Sequence, residues 1–178
     1  LMPTILTFDP MPEEFFGAKD FFRLMEMTDK YQVFQNLGIK KVIAIPFNKN
    51  FSEIDQDSFV KDILIDKLSL KHLIVGNDFK FGHKRIGDIS LLKLYKEQGL
   101  YDLTVLELVK VTNDKVSSRD IRNLIKIGRI NDANKLIAAP FSLSGKVIHG
   151  EKRGRELGYP TANIEIYKSY PINGIFLV

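Results

Sequence analysis

The sequence predicts an α/β fold with a parallel sheet, followed from Pro140 by the opening of a small all-β unit. Three observations carry this. Strand-like apolar runs alternate with helical periodicities from Ile5 to Ala138. Gly38 and Gly128 stop two of the helical stretches, and Ser117 or Ser118 caps the start of another. After Pro140 the helical pattern ends, and strand-like runs flank a glycine-rich loop.

Taken in order, residues 5–8 read as a strand, and Pro10 and Pro12 fix a rigid turn at its carboxyl end. Residues 19–37 read as a helix with Phe22, Met25, Val33 and Leu37 as core positions. Residues 41–47 read as a strand, and residues 58–68 are amphipathic, with Phe59, Ile63 and Leu64 on one face. A β-branched run follows at 72–76, then a helix at 89–98 and a strand at 103–109. Helices at 117–127 and 131–138 close this part. Strand–helix alternation implies a parallel sheet covered on both faces. Ligands of such sheets sit at the carboxyl ends of the strands. The loops after Phe8, after Gly76 and before Ser117 are therefore the candidate site.

Beyond Pro140, residues 141–150, 162–167 and 175–178 read as strands. A unit below about 40 residues seldom buries enough surface to fold alone. Residues 140–178 are expected either to continue or to lean on the first domain. The division is 1–139 and 140–178. Strand-like runs at 5–8 and 174–178 predict a chain cut at both ends, since domains rarely stop inside a buried element.

Composition narrows the class. The 178 residues are 44% hydrophobic and 27% charged, which suits a soluble chain of one domain or two small ones. No apolar run approaches the roughly 18 residues of a membrane helix. Residues 1–8 lack the charged leader and cleavage site of a signal peptide. With no cysteine, disulfides and thiolate zinc sites are excluded and a reducing cytoplasm is expected. His72, His83 and His149 are too scattered to read as a metal motif. The net charge of +4 is dispersed among acidic residues. That pattern favours a solvated surface with a phosphate site over a nucleic-acid footprint.

Four segments carry chemistry, each with a plainer structural reading beside it. Thr7–Pro12 is a stiff turn after a strand, or the rim of a site. Gly76, Gly82 and Gly87 flank Phe79, Phe81, Lys84 and Arg85. The segment is a mobile loop with two anchoring rings, or a backbone that approaches a ligand, stacks a flat heterocycle and contacts phosphate. Ser117, Ser118 and Arg122 form a cap with surface arginines, or a polyphosphate site at a helix N-terminus. Between Gly150 and Asn163, Gly154 and Gly158 complete a four-residue glycine spacing amid Lys152, Arg153 and Arg155. No Walker sequence is present. The segment is a hairpin loop, or a phosphate wrap with Thr161 and Asn163 as alternate strand positions offering neutral oxygens to a hard cation such as Mg²⁺.

Together and in this order, these segments resemble the prokaryotic riboflavin kinase/FAD synthetase family along essentially the whole chain. The matching positions are Thr7, Phe8, Asp9, Pro10 and Pro12; Val75, Gly76, Asp78, Phe79, Phe81 and Gly82; Ser117, Ser118, Ile121 and Arg122; and Gly150, Gly154, Arg155, Leu157, Gly158, Pro160, Thr161, Ala162 and Asn163. Met11 stands where the family usually has His, and Arg119 where it usually has Thr.

The resemblance implies a Rossmann-like nucleotidylyltransferase domain followed by a β-barrel flavokinase domain. It implies ATP, riboflavin and FMN as substrates, FAD as product and Mg²⁺ as cofactor. Ser117, Ser118 and Arg122 would stabilise the leaving phosphate. Phe8, Asp9, Pro10, Gly76, Asp78, Phe79 and Phe81 would line the transferase site. Gly154, Arg155, Gly158, Pro160, Thr161 and Asn163 would bind Mg-ATP, with Thr161 and Asn163 at the metal. A histidine motif would precede residue 1 and a catalytic glutamate would follow residue 178, so the chain alone is expected to be inactive. Its partners would be small molecules rather than nucleic acid or membrane, and its state a monomer or weak oligomer. The alternatives are a degenerate flavin- or nucleotide-binding member of the family and, from the basic balance, a nucleic-acid-binding module.

Overall fold

Short β-branched and aliphatic runs set the strands, and turn residues set where they stop. In the computed structural model, the residues described are 1–19, 21–107, 110–111, 114–137, 140–150, 158–159, 161–166 and 170–172. Thr4–Phe8 (β1) leads through the single turn Pro12–Phe15 (α1) to Met27–Asn36 (α2) and Lys41–Ile45 (β2). Lys49–Ser52 (α3), Gln56–Ser58 (α4) and a π-helix at Phe59–Lys67 precede His72–Gly76 (β3). Ile89–Glu97 (α5), Asp102–Leu106 (β4), Lys110–Val111 (β5) and Asp114–Lys115 (β6) follow. The remaining elements are Ser118–Lys126 (α6), Ile130–Ile137 (α7), Lys146–Ile148 (β7) and Asn163–Glu165 (β8).

The parallel pairing expected from the sequence is present. β1 runs parallel to β2, from Thr4↔Lys41 to Phe8↔Ile45, and β3 runs parallel to β4, from His72↔Asp102 to Gly76↔Leu106. β5–β6 and β7–β8 are antiparallel. Among the described residues no helix is long and apolar enough to cross a membrane. The chain divides into two compact units, one of residues 1–18 and 39–116, the other of 19–38 and 117–178.

The first unit is built on Phe59, Val60, Ile63, Leu64, Phe81, Leu92, Tyr95 and Tyr101. Leu73, Val75 and Leu103 pack on it from β3 and β4, and Leu6 and Ile45 from β1 and β2. Leu73 and Val75 are two apart on β3, the spacing that puts one face of a strand on a core, and Leu103 stands opposite Leu73 in register. The expected face of Phe59, Ile63 and Leu64 is buried, with Val60 added. The π-helical winding that brings all four inward, with Leu68 N–H donating to the Ile63 carbonyl at 3.0 Å, has no periodicity cue in the sequence.

The expected helix at 19–37 is corrected. It begins only at Met27, after Glu26 in extended conformation. Phe22 and Arg23 are instead buried in the second unit. Tertiary contacts of these two residues override a weak helical preference for aromatics. With the stripe broken at that point, Val33 and Leu37 are exposed rather than core. The second unit's interior takes Ile121, Ile125 and Ala133 from α6 and α7. The strands expected at 141–150 and 162–167 are shorter, and residues 175–178 lie outside the described residues.

Burial leaves a titration signature. The phenols of Tyr95, Tyr101 and Tyr170 are pushed up to about 12 from an ordinary 10.0. Burial is the leading cause in each; a hydrogen bond to Asp57 adds to it at Tyr95 and the Glu26 charge at Tyr170. The folded state keeps these protons while the unfolded state releases them near pH 10. Their contribution is thus complete below pH 10 and is lost as pH rises from 10 to 12. Denaturation monitored by phenolate absorbance should show stability falling over that window; a flat profile between pH 10 and 12 would contradict the burial.

Candidate functional site

The carboxyl ends of β1 and β3 shape the first unit's candidate surface. After β1, the Asp9 N–H donates to the Ile45 carbonyl at 3.1 Å, prolonging the ladder into the turn. The Asp9–Pro10 peptide is cis, and both residues are exposed. The Phe8 ring stands 5.5 Å from Phe47 and 5.3 Å from Phe51.

After β3, Phe79 N–H donates to the Gly76 carbonyl at 3.1 Å, closing a tight turn. A methyl group on Gly76 would lie 3.2 Å from the Asp78 carboxylate, so the small residue lets Asp78 fold back over the strand end. Asn77 ties the same end to β4 through the Leu106 carbonyl at 2.9 Å and the Glu107 carboxylate at 2.7 Å. Phe79 is half-buried and stacks on Phe81 at 5.5 Å. Phe81 does not offer an open ring face: it is 6% exposed and lies between Phe79 and Phe59.

Two of the three glycines in this loop serve the fold rather than a ligand. Gly82 and Gly87 both face Gln56, and a methyl on Gly87 would also enter the Phe81 ring at 2.6 Å. Phe81 and Gly87 exchange backbone hydrogen bonds of 3.1 and 2.9 Å. His83 is pinned at its N–H to the Ile54 carbonyl at 2.7 Å, and its Nδ1 donates to the Ser52 carbonyl at 3.0 Å. This clamped turn holds Lys84 and Arg85 in left-handed conformations, φ 54° and 59°, with both side chains exposed. Lys80 bonds the Asp88 carboxylate at 3.2 Å and holds that carboxyl below its usual range, while Asp88 caps α5.

Phe47, Phe51, Phe15 and Phe16 escaped the sequence reading. Rings run from Phe16 to Phe47, Phe51, Phe59, Phe81 and Phe79, at 5.8, 5.7, 6.3, 5.4 and 5.5 Å. Thirteen phenylalanines without a tryptophan were the available signal, but a count does not show which rings meet.

In the second unit, Ser117 caps α6. Its hydroxyl accepts from the Asp120 N–H at 3.2 Å and donates to the Asp120 carboxylate, so that hydroxyl is engaged in the cap. Ser118 opens the helix and is exposed, as is Arg119. One turn on, Arg122 Nε donates to the Phe22 carbonyl at 2.7 Å, and the guanidinium lies 4.3 Å from the centre of the Phe21 ring. A helix start and a fixed guanidinium together favour an anion of phosphate type.

Gly154, Arg155 and Pro160 lie outside the described residues. Gly158 has φ 81°. Asn163 opens β8 opposite Ile148, and its carboxamide packs where a side chain on Gly150 would stand. Thr161 precedes the strand, so strand alternation does not pair it with Asn163 as the sequence reading had it. No group of three or more His, Cys, Asp or Glu residues is placed to hold a metal among the described residues. A hydroxyl and a carboxamide are hard neutral donors, a set that suits Mg²⁺ where phosphates supply the charge.

Comparisons with known proteins converge. Residues 1–120 match the FAD synthetase family model and residues 137–178 the riboflavin kinase model. A bifunctional riboflavin kinase/FMN adenylyltransferase of Buchnera aphidicola subsp. Schizaphis graminum is 42% identical over 183 residues, covering 100% of this chain and 58% of that protein. Proteins of the same description from Listeria monocytogenes and Escherichia coli K12 are 34% and 31% identical, with 57% and 56% of their lengths covered by 100% and 98% of this chain. A solved structure described as a macrolide-efflux protein from Streptococcus pneumoniae is similar with a TM-score of 0.81 at 26% identity, over 94% of this chain and 55% of that one. The chain thus spans a little over half the length of these relatives. With residues 1–120 of 178 matched to one family model, the chain belongs to the FAD synthetase family.

Proposed function

We propose that this chain is part of a protein that phosphorylates riboflavin to FMN and adenylylates FMN to FAD, both at the expense of ATP. The observation that carries it is the succession of the two matches on one chain, FAD synthetase over 1–120 and riboflavin kinase over 137–178. The domains are 1–139 and 140–178. The parallel pairs β1–β2 and β3–β4, which pack on one core, are parts of one Rossmann-like sheet, and β7–β8 opens a small barrel. The partners are small molecules, ATP and flavins, and the place is the cytoplasm.

In the transferase reaction a phosphate oxygen of FMN forms a bond to the α-phosphorus of ATP, and pyrophosphate leaves. The protein's work is positioning and charge stabilisation. In the first unit, Phe8, Asp9, Pro10, Gly76, Asp78 and Phe79 hold ring systems, and Phe81 backs Phe79 from the core. In the second unit, the α6 start at Ser117 and Ser118 and the Arg122 guanidinium stabilise the departing negative charge. In the kinase reaction the γ-phosphoryl group of ATP passes to the riboflavin 5′-hydroxyl. Gly154, Arg155, Gly158 and Pro160 contact the nucleotide, and Thr161 and Asn163 would hold Mg²⁺, which would supply charge neutralisation at the phosphates.

Product analysis tests this. The full-length protein given riboflavin, ATP and Mg²⁺ should form FMN and then FAD with release of pyrophosphate. Asn163→Ala should weaken Mg-ATP binding roughly tenfold or more and slow FMN formation, leaving adenylylation of supplied FMN intact. Flavin binding without either product would replace the enzyme reading with that of a binding protein.

A further inference from the structure

The tip of the loop after β3 breaks a local rule. The Ile86 N–H donates to the His83 carbonyl at 3.4 Å, so Lys84 and Arg85 are the two central residues of a tight turn. Both have positive φ, 54° and 59°. Turns of this kind ordinarily place Asn and Gly there, because a Cβ at positive φ crowds the backbone. Lysine and arginine gain nothing from that conformation. The turn is held from outside, by the His83 bonds to the Ile54 and Ser52 carbonyls, the Phe81–Gly87 bridge and the Gln56 backbone against Gly82. Strain imposed on an exposed tip by its surroundings points to a use for the side chains it carries.

The charge on that tip is uncommitted. Lys80, at the foot of the loop, is paired with Asp88 at 3.2 Å. Lys84 and Arg85 are exposed, and among the described residues neither side chain has an ion-pair or hydrogen-bond partner. The loop leaves and returns at Phe81 and Gly87, and the Phe81 ring is stacked on the half-buried Phe79. One loop thus carries a stacked ring and two cations on a held backbone, which matches a ligand with a flat heterocycle and a phosphate.

We propose that Lys84 and Arg85 form an anion site that takes a phosphate group of an adenylylation substrate. FMN and ATP share that chemistry. The inference rests on the reading of the chain as part of an adenylylating protein. Exposed cations draw the phosphate in as the substrate arrives, so their effect falls on binding rather than on the chemical step.

The experiment uses the full-length protein and measures adenylylation with FMN and ATP varied in turn. The double variant K84N/R85G removes both charges and installs residues suited to the turn. It should unfold at the same urea concentration as wild type or a higher one. Its KM for one substrate should rise about tenfold, with kcat within twofold of wild type. A rise for FMN assigns the site to the flavin phosphate, and a rise for ATP to the nucleotide phosphates. Added salt should raise that same KM in wild type and barely change it in the variant. K84R/R85K keeps both charges and should keep the wild-type KM. If K84N/R85G leaves both KM values unchanged, or K84R/R85K shares its loss in full, the cations are a solvated surface or the turn alone matters. The proposal then falls while the adenylylation reading stands. If the wild-type protein forms no FAD, that reading fails and this inference falls with it.

Discussion

Arg122→Ala in the full-length protein should lower the kcat/KM of FMN adenylylation about 10²-fold, a loss of ~3 kcal/mol in transition-state stabilisation. The magnitude follows from what is removed. Arg122 sits one turn into α6, and its guanidinium is held by a backbone carbonyl and an aromatic ring rather than left to sample rotamers. A charged donor fixed before the reaction needs no reorganisation as charge builds on the leaving pyrophosphate. Arg122→Lys should recover part of the rate, since it returns a point charge without the fork. Riboflavin phosphorylation by the same protein is the internal control and should stay within about twofold of wild type. Equal losses in both reactions would point to misfolding and remove the assignment.

Gly82→Ala should destabilise the chain by ~3 kcal/mol, from backbone strain and overpacking together. Gly82 has φ 73° and ψ 176°, a region essentially confined to glycine. A methyl there would also stand 2.7 Å from the Gln56 Cα and backbone N, neither of which is the movable end of a side chain. Gly99→Ala is the matched control: φ is 76°, but nothing lies within 4 Å of the added methyl. It should cost only about 1 kcal/mol, the conformational part. Urea denaturation of the two variants separates the effects. Equal midpoints would show that the Gln56 wall yields and that Gly82 is held for its φ alone.

The fold's alternation was legible because its cues are local. Stop glycines, the Ser117 cap and two-residue apolar spacing each operate within one element, and the parallel pairs follow from their order. What escaped depends on distant partners. Nothing near Phe22 announces that its carbonyl belongs to an arginine 100 positions on, so residues 19–26 looked helical. Gly82 and Gly87 looked like glycines awaiting a ligand, yet the backbone that comes close is the chain's own at Gln56. Phe79 and Phe81 looked alike in a one-line pattern. The Phe81–Gly87 bridge turns the second inward and leaves the first at the surface of the stack.

The row of rings from Phe16 to Phe79 has a consequence for how this sequence can drift. Each interior ring has aromatic neighbours on two sides, so shrinking one opens a void that its neighbours must fill. Single substitutions there are penalised, whereas compensated pairs are tolerated. The turn after β1 and the loop after β3, separated by some sixty positions of chain, are thereby expected to change together among descendants. Heredity at one lip of the candidate site is coupled to heredity at the other.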